Sequence, residues 1–293
     1  MKAKKSERRV PIVIPSYAKL VKGYVGFLTG TGKSLATVTC YKGDLSLLEE
    51  FLTERKKDFY QLNAKDFAAY EYWMEKRGLK MNTRRRKILS AKSLVKYAVS
   101  RKKVAPSAVQ FVKTPERLER LPWIPSENDF SKLLGHVKGE TPLGLRNRLL
   151  VRLLAETGLT LAEVCALRWN QIQGDKVEAG QGGKKERTLK ISADTRGQLT
   201  EWRKSNSGKH LFPGFNRHGI TSEKMTPRGV ELFFRHLSKQ TGFRALKPKT
   251  LRHYCITNWL RADLPENEIQ RRLGVHPNYS LHAYRKFLEQ PAR

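Results

Sequence analysis

Four prolines, Pro106, Pro115, Pro122 and Pro125, fall within a twenty-residue stretch, with Lys113, Arg117 and Arg120 between them. Proline lacks a backbone N–H and its ring clashes with the preceding turn, so no helix runs through such a stretch. Helical periodicity occupies both sides of it. The chain therefore divides into a helical domain over residues 15–104, a linker over 105–125 and a second domain over 126–293. A basic tail, residues 1–14, precedes them. A length of 293 residues suits two domains.

On the N-terminal side, Val38, Tyr41, Leu45, Leu48 and Leu52 recur at three- and four-residue steps and make one apolar helical face. Ser34 stands where an N-cap belongs. A second helix is predicted over about 82–100, its core face formed by Ile88, Ala91, Leu94, Val95 and Ala98. Beyond the linker a helical pattern starts near Glu127, and the run Leu145 to Glu156 is apolar enough to be buried. Lys176–Ala179 and Arg187–Ile191 flank the turn Gly180–Gly183 and read as a small hairpin. Further helices are predicted over Thr226–Thr241, Leu251–Ala262 and Pro265–Leu273. The fold class is mainly α, two domains, with one small antiparallel sheet in the second.

Charge narrows the partner. The chain holds 58 Lys+Arg against 27 Asp+Glu, a formal net charge of +31. So large a like charge repels itself in the folded state, and a polyanion relieves it. Nucleic acid fits best, because neutralising phosphates releases condensed counterions. A membrane partner is not expected, for no basic amphipathic anchor and no long apolar run occurs. RNA is disfavoured by the absence of a stacking-aromatic motif for single strands. Cys40, Cys165 and Cys255 show no ligand spacing and read as buried free thiols. No metal and no other cofactor is expected. Gly32-Lys33-Ser34 looks like the end of a phosphate-binding loop, but Phe27 stands where that motif needs glycine, and a helix cap explains Ser34 better. With no signal peptide evident, the expected location is cytoplasmic, on the nucleoid.

The segment Lys249-Thr250-Leu251-Arg252-His253, followed by Leu273-Gly274 and then Tyr284, resembles the tyrosine recombinase (phage integrase) family. So does Thr157-Gly158-Leu159-Thr160-Leu161-Ala162-Glu163, continued to Leu167-Arg168-Trp169. Ser34, Thr37, Tyr41 and Leu45, then Gly78-Leu79 and Thr83, are similar to that family's helical, SAM-like core-binding domain. The resemblance spans about residues 17 to 287 and includes the Xer-like members. It implies a clamp on duplex DNA and a tyrosine that attacks a backbone phosphorus to make a 3′-phosphotyrosyl link. No metal or nucleotide is implied, since the covalent link conserves the phosphodiester energy.

Carried over position by position, the resemblance makes Tyr284 the nucleophile, Arg252 the second arginine and Lys249 the occupant of the His/Lys position, with His253 beside it. Three positions depart from the pattern. Thr160 stands where the first arginine belongs, Gln181 where the hairpin lysine belongs, and Val275 where a His or Trp belongs. A neutral hydroxyl cannot make the bidentate contact of a guanidinium to phosphate. His276 is one residue late and needs a local shift to serve. Thr160-x-x-Glu163 fits a helix-initiating capping box instead. Losing a preorganised donor of this kind costs roughly 10²–10³ in rate. Two readings result: a DNA-binding member with lost or weakened strand transfer, or an active recombinase with a rearranged site using Lys184 or Lys185 and His276.

Candidate contacts to the DNA backbone are Arg84, Arg85, Arg86 and Lys87 at the start of the second helix, Lys184, Lys185 and Arg187 by the hairpin, and Arg228 and Lys247 near helix starts. The four cations at a helix start oppose its dipole, a cost that phosphate would offset. Nine residues follow Tyr284, a short reach for docking on a neighbouring protomer. Self-association on DNA is therefore expected to stop short of a firm tetramer.

Overall fold

The computed structural model describes residues 15–116, 121–180, 186–216 and 218–289. The described residues form two compact units, one ending at residue 116 and one beginning at residue 121, each with its own core.

The first unit contains α1 (Pro15–Gly30), α2 (Leu35–Glu54), α3 (Ala64–Lys76), α4 (Met81–Ser100) and α5 (Ser107–Gln110). Ser34 caps α2 through its hydroxyl, which accepts from the Thr37 N–H at 3.2 Å. The predicted faces of α2 and α4 form the core: Leu45, Leu48 and Leu52 meet Ile88, Leu94 and Val95, all nearly inaccessible. The expected linker is partly structured, because α5 sends Ala108, followed by Val112, into this core.

The second unit begins with α6 (Glu127–His136) and α7 (Pro142–Thr157), followed by the short α8 (Leu161–Ala166). Strands β1 (Ile172–Gln173), β2 (Lys176–Ala179) and β3 (Arg187–Lys190) make an antiparallel sheet in that order. Val177 faces Leu189 across it, and both are buried. Then come α9 (Ala193–Ser205), the hairpin β4 (Gly214–Asn216) and β5 (Gly219–Ser222), α10 (Pro227–Thr241), α11 (Pro248–Arg261), α12 (Glu266–Leu273) and α13 (His282–Leu288). The β4–β5 pair is a second small sheet beyond the single one expected.

The apolar run predicted to be buried is α7, whose Leu149, Leu150, Val151 and Leu153 are fully enclosed between α9 and α11. Gly158 ends α7 in the left-handed conformation, φ 60°. A Cβ there would meet Cys255 and Leu273 at 3.4 Å, an ordinary contact, so the left-handed backbone and not a lack of room calls for glycine. Cys165 and Cys255 are buried as expected, whereas Cys40 is exposed. Its place on the outer side of α2, off the apolar face, is the reason.

Candidate active site

The helix α11 starts at Pro248 and carries Lys249, Arg252 and His253 within its first two turns. Lys249 is exposed and His253 is buried. This one-turn spacing places the three on neighbouring stripes of one helix. Helix α13 brings Tyr284 against it. Tyr284 is 3% exposed and sits in a small apolar cluster with Ile256, Ile269, Leu273 and Leu281. Its hydroxyl lies 2.7 Å from His253 Nδ1 and 3.4 Å from the Tyr279 hydroxyl.

The electrostatics follow from burial. His253 is pushed down to about 4, first by desolvation and then by Lys249 and Arg252. The imidazole is therefore neutral at pH 7 and can accept the tyrosine proton at Nδ1. The Tyr284 phenol is pushed well above its ordinary value by burial and by Tyr279, against a smaller opposing pull from Arg252. Nucleophile and base are in hydrogen-bond reach, but the two shifts oppose transfer of the proton in this arrangement.

Arg252 is held by backbone. Its guanidinium donates to the Gly158 carbonyl, at the end of α7, and at 3.0 Å to the Leu273 carbonyl, at the end of α12. Burial lowers its pKa, and Arg187 adds to that while Glu163 opposes it. A guanidinium at two helix C-termini meets the negative ends of two dipoles.

Thr160 caps α8 as expected. Its hydroxyl accepts from the Glu163 N–H at 3.3 Å, and Glu163 Oε2 accepts from the Thr160 N–H at 2.8 Å and its hydroxyl at 2.7 Å. The other Glu163 oxygen accepts from Arg187 Nη1 at 2.7 Å. Burial pushes the Glu163 carboxyl up, and the hydrogen bonds from Arg187 and Thr160 outweigh it, leaving the pKa below its ordinary value. Arg187 Nε donates to the Arg272 carbonyl at 2.6 Å.

Thr160, Lys249, Arg252 and Lys247 share a cleft of about 630 Å³ with Arg235 and Arg244. Leu159, Leu161, Phe234 and Leu246 are its apolar lining. The arrangement offers a cationic rim at the start of α11, with the tyrosine close behind it but covered.

The other expected residues distribute unevenly. Gln181, Lys184 and Lys185 lie outside the described residues. Val275 is half-buried in the apolar cluster around Tyr284. His276 is exposed and uses Nδ1 to accept the Asn278 N–H at 3.1 Å, a local turn contact. Arg228 and Lys247 are exposed. Arg187 is not an exposed backbone contact: its side chain is 1% exposed and is spent inside the unit.

In the first unit the cations of α4 also find partners within the chain. Arg84 is buried and donates to Glu75 at 2.6 Å, with Glu71 at 3.9 Å. Arg85 donates to the Pro115 carbonyl. Arg86 Nη1 lies 2.5 Å from buried Asp44, which also takes Lys87 at 3.0 Å and Ser90 at 2.8 Å. Carboxylates of α2 and α3 offset the dipole cost at this helix start, where phosphate was the expected compensation. Arg86 keeps half its side chain in solvent.

Sequence reasoning missed Tyr279, which carries no motif, and the Arg187–Glu163 pair, whose partners are 24 residues apart and obey no local spacing. It also missed Asp44, whose partners Arg86, Lys87 and Ser90 lie on a different helix.

Comparison with known proteins agrees with this architecture. The phage integrase family profile matches residues 126–289, and that of the phage integrase N-terminal SAM-like domain matches residues 21–102. The chain is 26% identical over 261 residues to the tyrosine recombinase XerC of Xanthomonas axonopodis pv. citri (strain 306), covering 82% of this chain and 83% of the relative. It is 25% identical over 272 residues to the tyrosine recombinase XerD of Listeria monocytogenes, covering 87% and 89%. Among solved structures, a lambda integrase dimer bound to a COC′ core site superposes with TM-score 0.73 at 13% identity, over 98% of this chain and 84% of that one. The Tn1549 transposon integrase in complex with a circular intermediate DNA gives 0.69 at 15% identity, over 92% and 98%. With a SAM-like helical unit, a second unit matched over most of its length, and a tyrosine set against a Lys-x-x-Arg-His helix, the chain belongs to the phage integrase family of tyrosine recombinases.

Proposed function

We propose that this protein binds duplex DNA and that its strand-transfer chemistry is lost or strongly reduced, so that it acts by occupying or organising DNA. One observation carries the reading: the side chain at position 160, where the resemblance calls for an arginine on the phosphate, is a threonine engaged in a capping box. A further fact supports it: Tyr284 is buried, and its hydroxyl has a raised pKa. The net charge of +31 and the exposed cations Lys247, Lys249 and Arg244 at one cleft support the duplex partner, as do relatives named for recombination and solved integrases with DNA. The proposed setting is the nucleoid, with self-association on DNA.

A second reading, residual recombinase activity through a 3′-phosphotyrosyl link, is favoured by the 2.7 Å contact between Tyr284 and a neutral imidazole. One assay separates them. Duplexes drawn from mapped binding sites, nicked beside each candidate position, trap any covalent adduct. The first reading expects binding without adduct. An adduct that disappears in Tyr284→Phe would establish the second.

A further inference from the structure

Two arginines meet at the end of α12. Arg187 Nε takes the Arg272 carbonyl at 2.6 Å, and Arg252 takes the next carbonyl, Leu273, at 3.0 Å. The close approach depends on Gly274: a Cβ there would stand 2.8 Å from Arg187 Nη1. Glu163 fixes the other side of Arg187 at 2.7 Å, and Glu163 is itself anchored by Thr160. One fork thus ties the start of α8, the strand β3 and the end of α12 around Arg252. Lysine cannot do this, because an ammonium is a point donor on a flexible stem, not a planar fork.

We infer that Arg187 is a positioning residue for Arg252, holding the end of α12 and its carbonyls so that the Arg252 guanidinium stays aimed for phosphate in a site without an arginine at position 160. The inference rests on the duplex-DNA reading and adds a mechanism to it. Arg187 does not touch DNA. It acts through the end of α12, where Arg187 holds the Arg272 carbonyl and Arg252 holds the next one, that of Leu273. The Thr160–Glu163 box has a second role on this account: it provides the carboxylate that clasps Arg187.

The test is a double-mutant cycle on DNA affinity with the full chain, using a labelled random-sequence duplex titrated over roughly 50 to 200 mM salt. The proteins are the unmodified chain, Arg252→Gln, Arg187→Gln and the double variant. Arg252→Gln is expected to weaken binding about tenfold and lower the salt slope by about 1. Arg187→Gln is expected to do nearly the same although its side chain is buried, and the double variant to be within about twofold of Arg252→Gln alone. Arg187→Lys, which keeps the charge, is expected to behave as Arg187→Gln. Because leaving the half-buried Glu163 carboxylate without its cation destabilises the unit, the pair Arg187→Gln with Glu163→Gln is measured as well, with thermal unfolding as the control. It is expected to fold and still lose the affinity. If Arg252→Gln leaves affinity and slope unchanged, the phosphate-site reading itself fails. If Arg252→Gln loses affinity while Arg187→Gln or Arg187→Lys binds as the unmodified chain does, or the two losses multiply independently, the positioning role is overturned.

Discussion

At Thr160 a single hydroxyl takes one orphan N–H of α8, and the carboxylate it calls up takes the cap's own N–H. Thr160→Ala removes that acceptor and is expected to cost about 1 kcal/mol, measured by urea unfolding. Thr160→Arg removes it too and places a rival cation beside Glu163. It is expected to destabilise similarly and to leave strand cleavage undetectable in the nicked-duplex assay. Restored cleavage by that one change would mean the rest of the site is intact. His253 gives a pH signature. Its pKa falls from 6.5 unfolded to about 4 folded, so between those values the unfolded chain binds the proton and the folded chain does not. The contribution is constant above about pH 6.5 and is lost as pH falls toward 4. Urea unfolding at several pH values is expected to show this loss, and His253→Gln to flatten it. Burial sets most of this shift and Lys249 and Arg252 on the same helix add to it, while Tyr284 meets the ring from across.

Helix α4 follows Lys80, which supplies no side-chain cap, and then stacks cations in its first turns. Local rules make that a poor helix start. Asp44 of α2 rescues it from 2% exposure. Asp44→Ala strands Lys87 and Ser90 without their acceptor and is expected to destabilise by about 3 kcal/mol, the usual range for breaking a buried pair. Guanidinium unfolding of the full chain would check it, and a change under about 1 kcal/mol would mean Arg86 and Lys87 find water instead. At the end of α12, Gly274→Ala meets both a left-handed φ of 61° and the Arg187 guanidinium, and is expected to cost more than about 1 kcal/mol. These elements also mark what could be read in advance. The apolar faces of α2, α4 and α7 were legible because period and burial are local properties of a string. The capping box was legible for the same reason. Asp44 with Arg86, and Glu163 with Arg187, were not, since each pair is made by packing of distant segments. The β4–β5 pair was missed because its Gly-rich, weakly alternating strands carry little period-two signal.

For the two units together, charge sets the expected behaviour. A net +31 predicts DNA affinity that falls steeply with salt, by about 10³ or more between 50 and 200 mM if six or more phosphates are neutralised. Fluorescence anisotropy on a duplex would measure it, and a nearly flat salt dependence would contradict duplex binding through the backbone. The family could be placed from the order of short motifs. Which cations remain available to a ligand could not, because availability depends on carboxylates and carbonyls brought in by folding. The grip of Arg252 on the Gly158 and Leu273 carbonyls has one more consequence. Each bond takes one hydrogen of a terminal nitrogen, so the guanidinium is pinned along one edge and still offers its remaining N–H groups to an anion. Its direction is set before any ligand arrives, and a phosphate gains it without first ordering a flexible side chain.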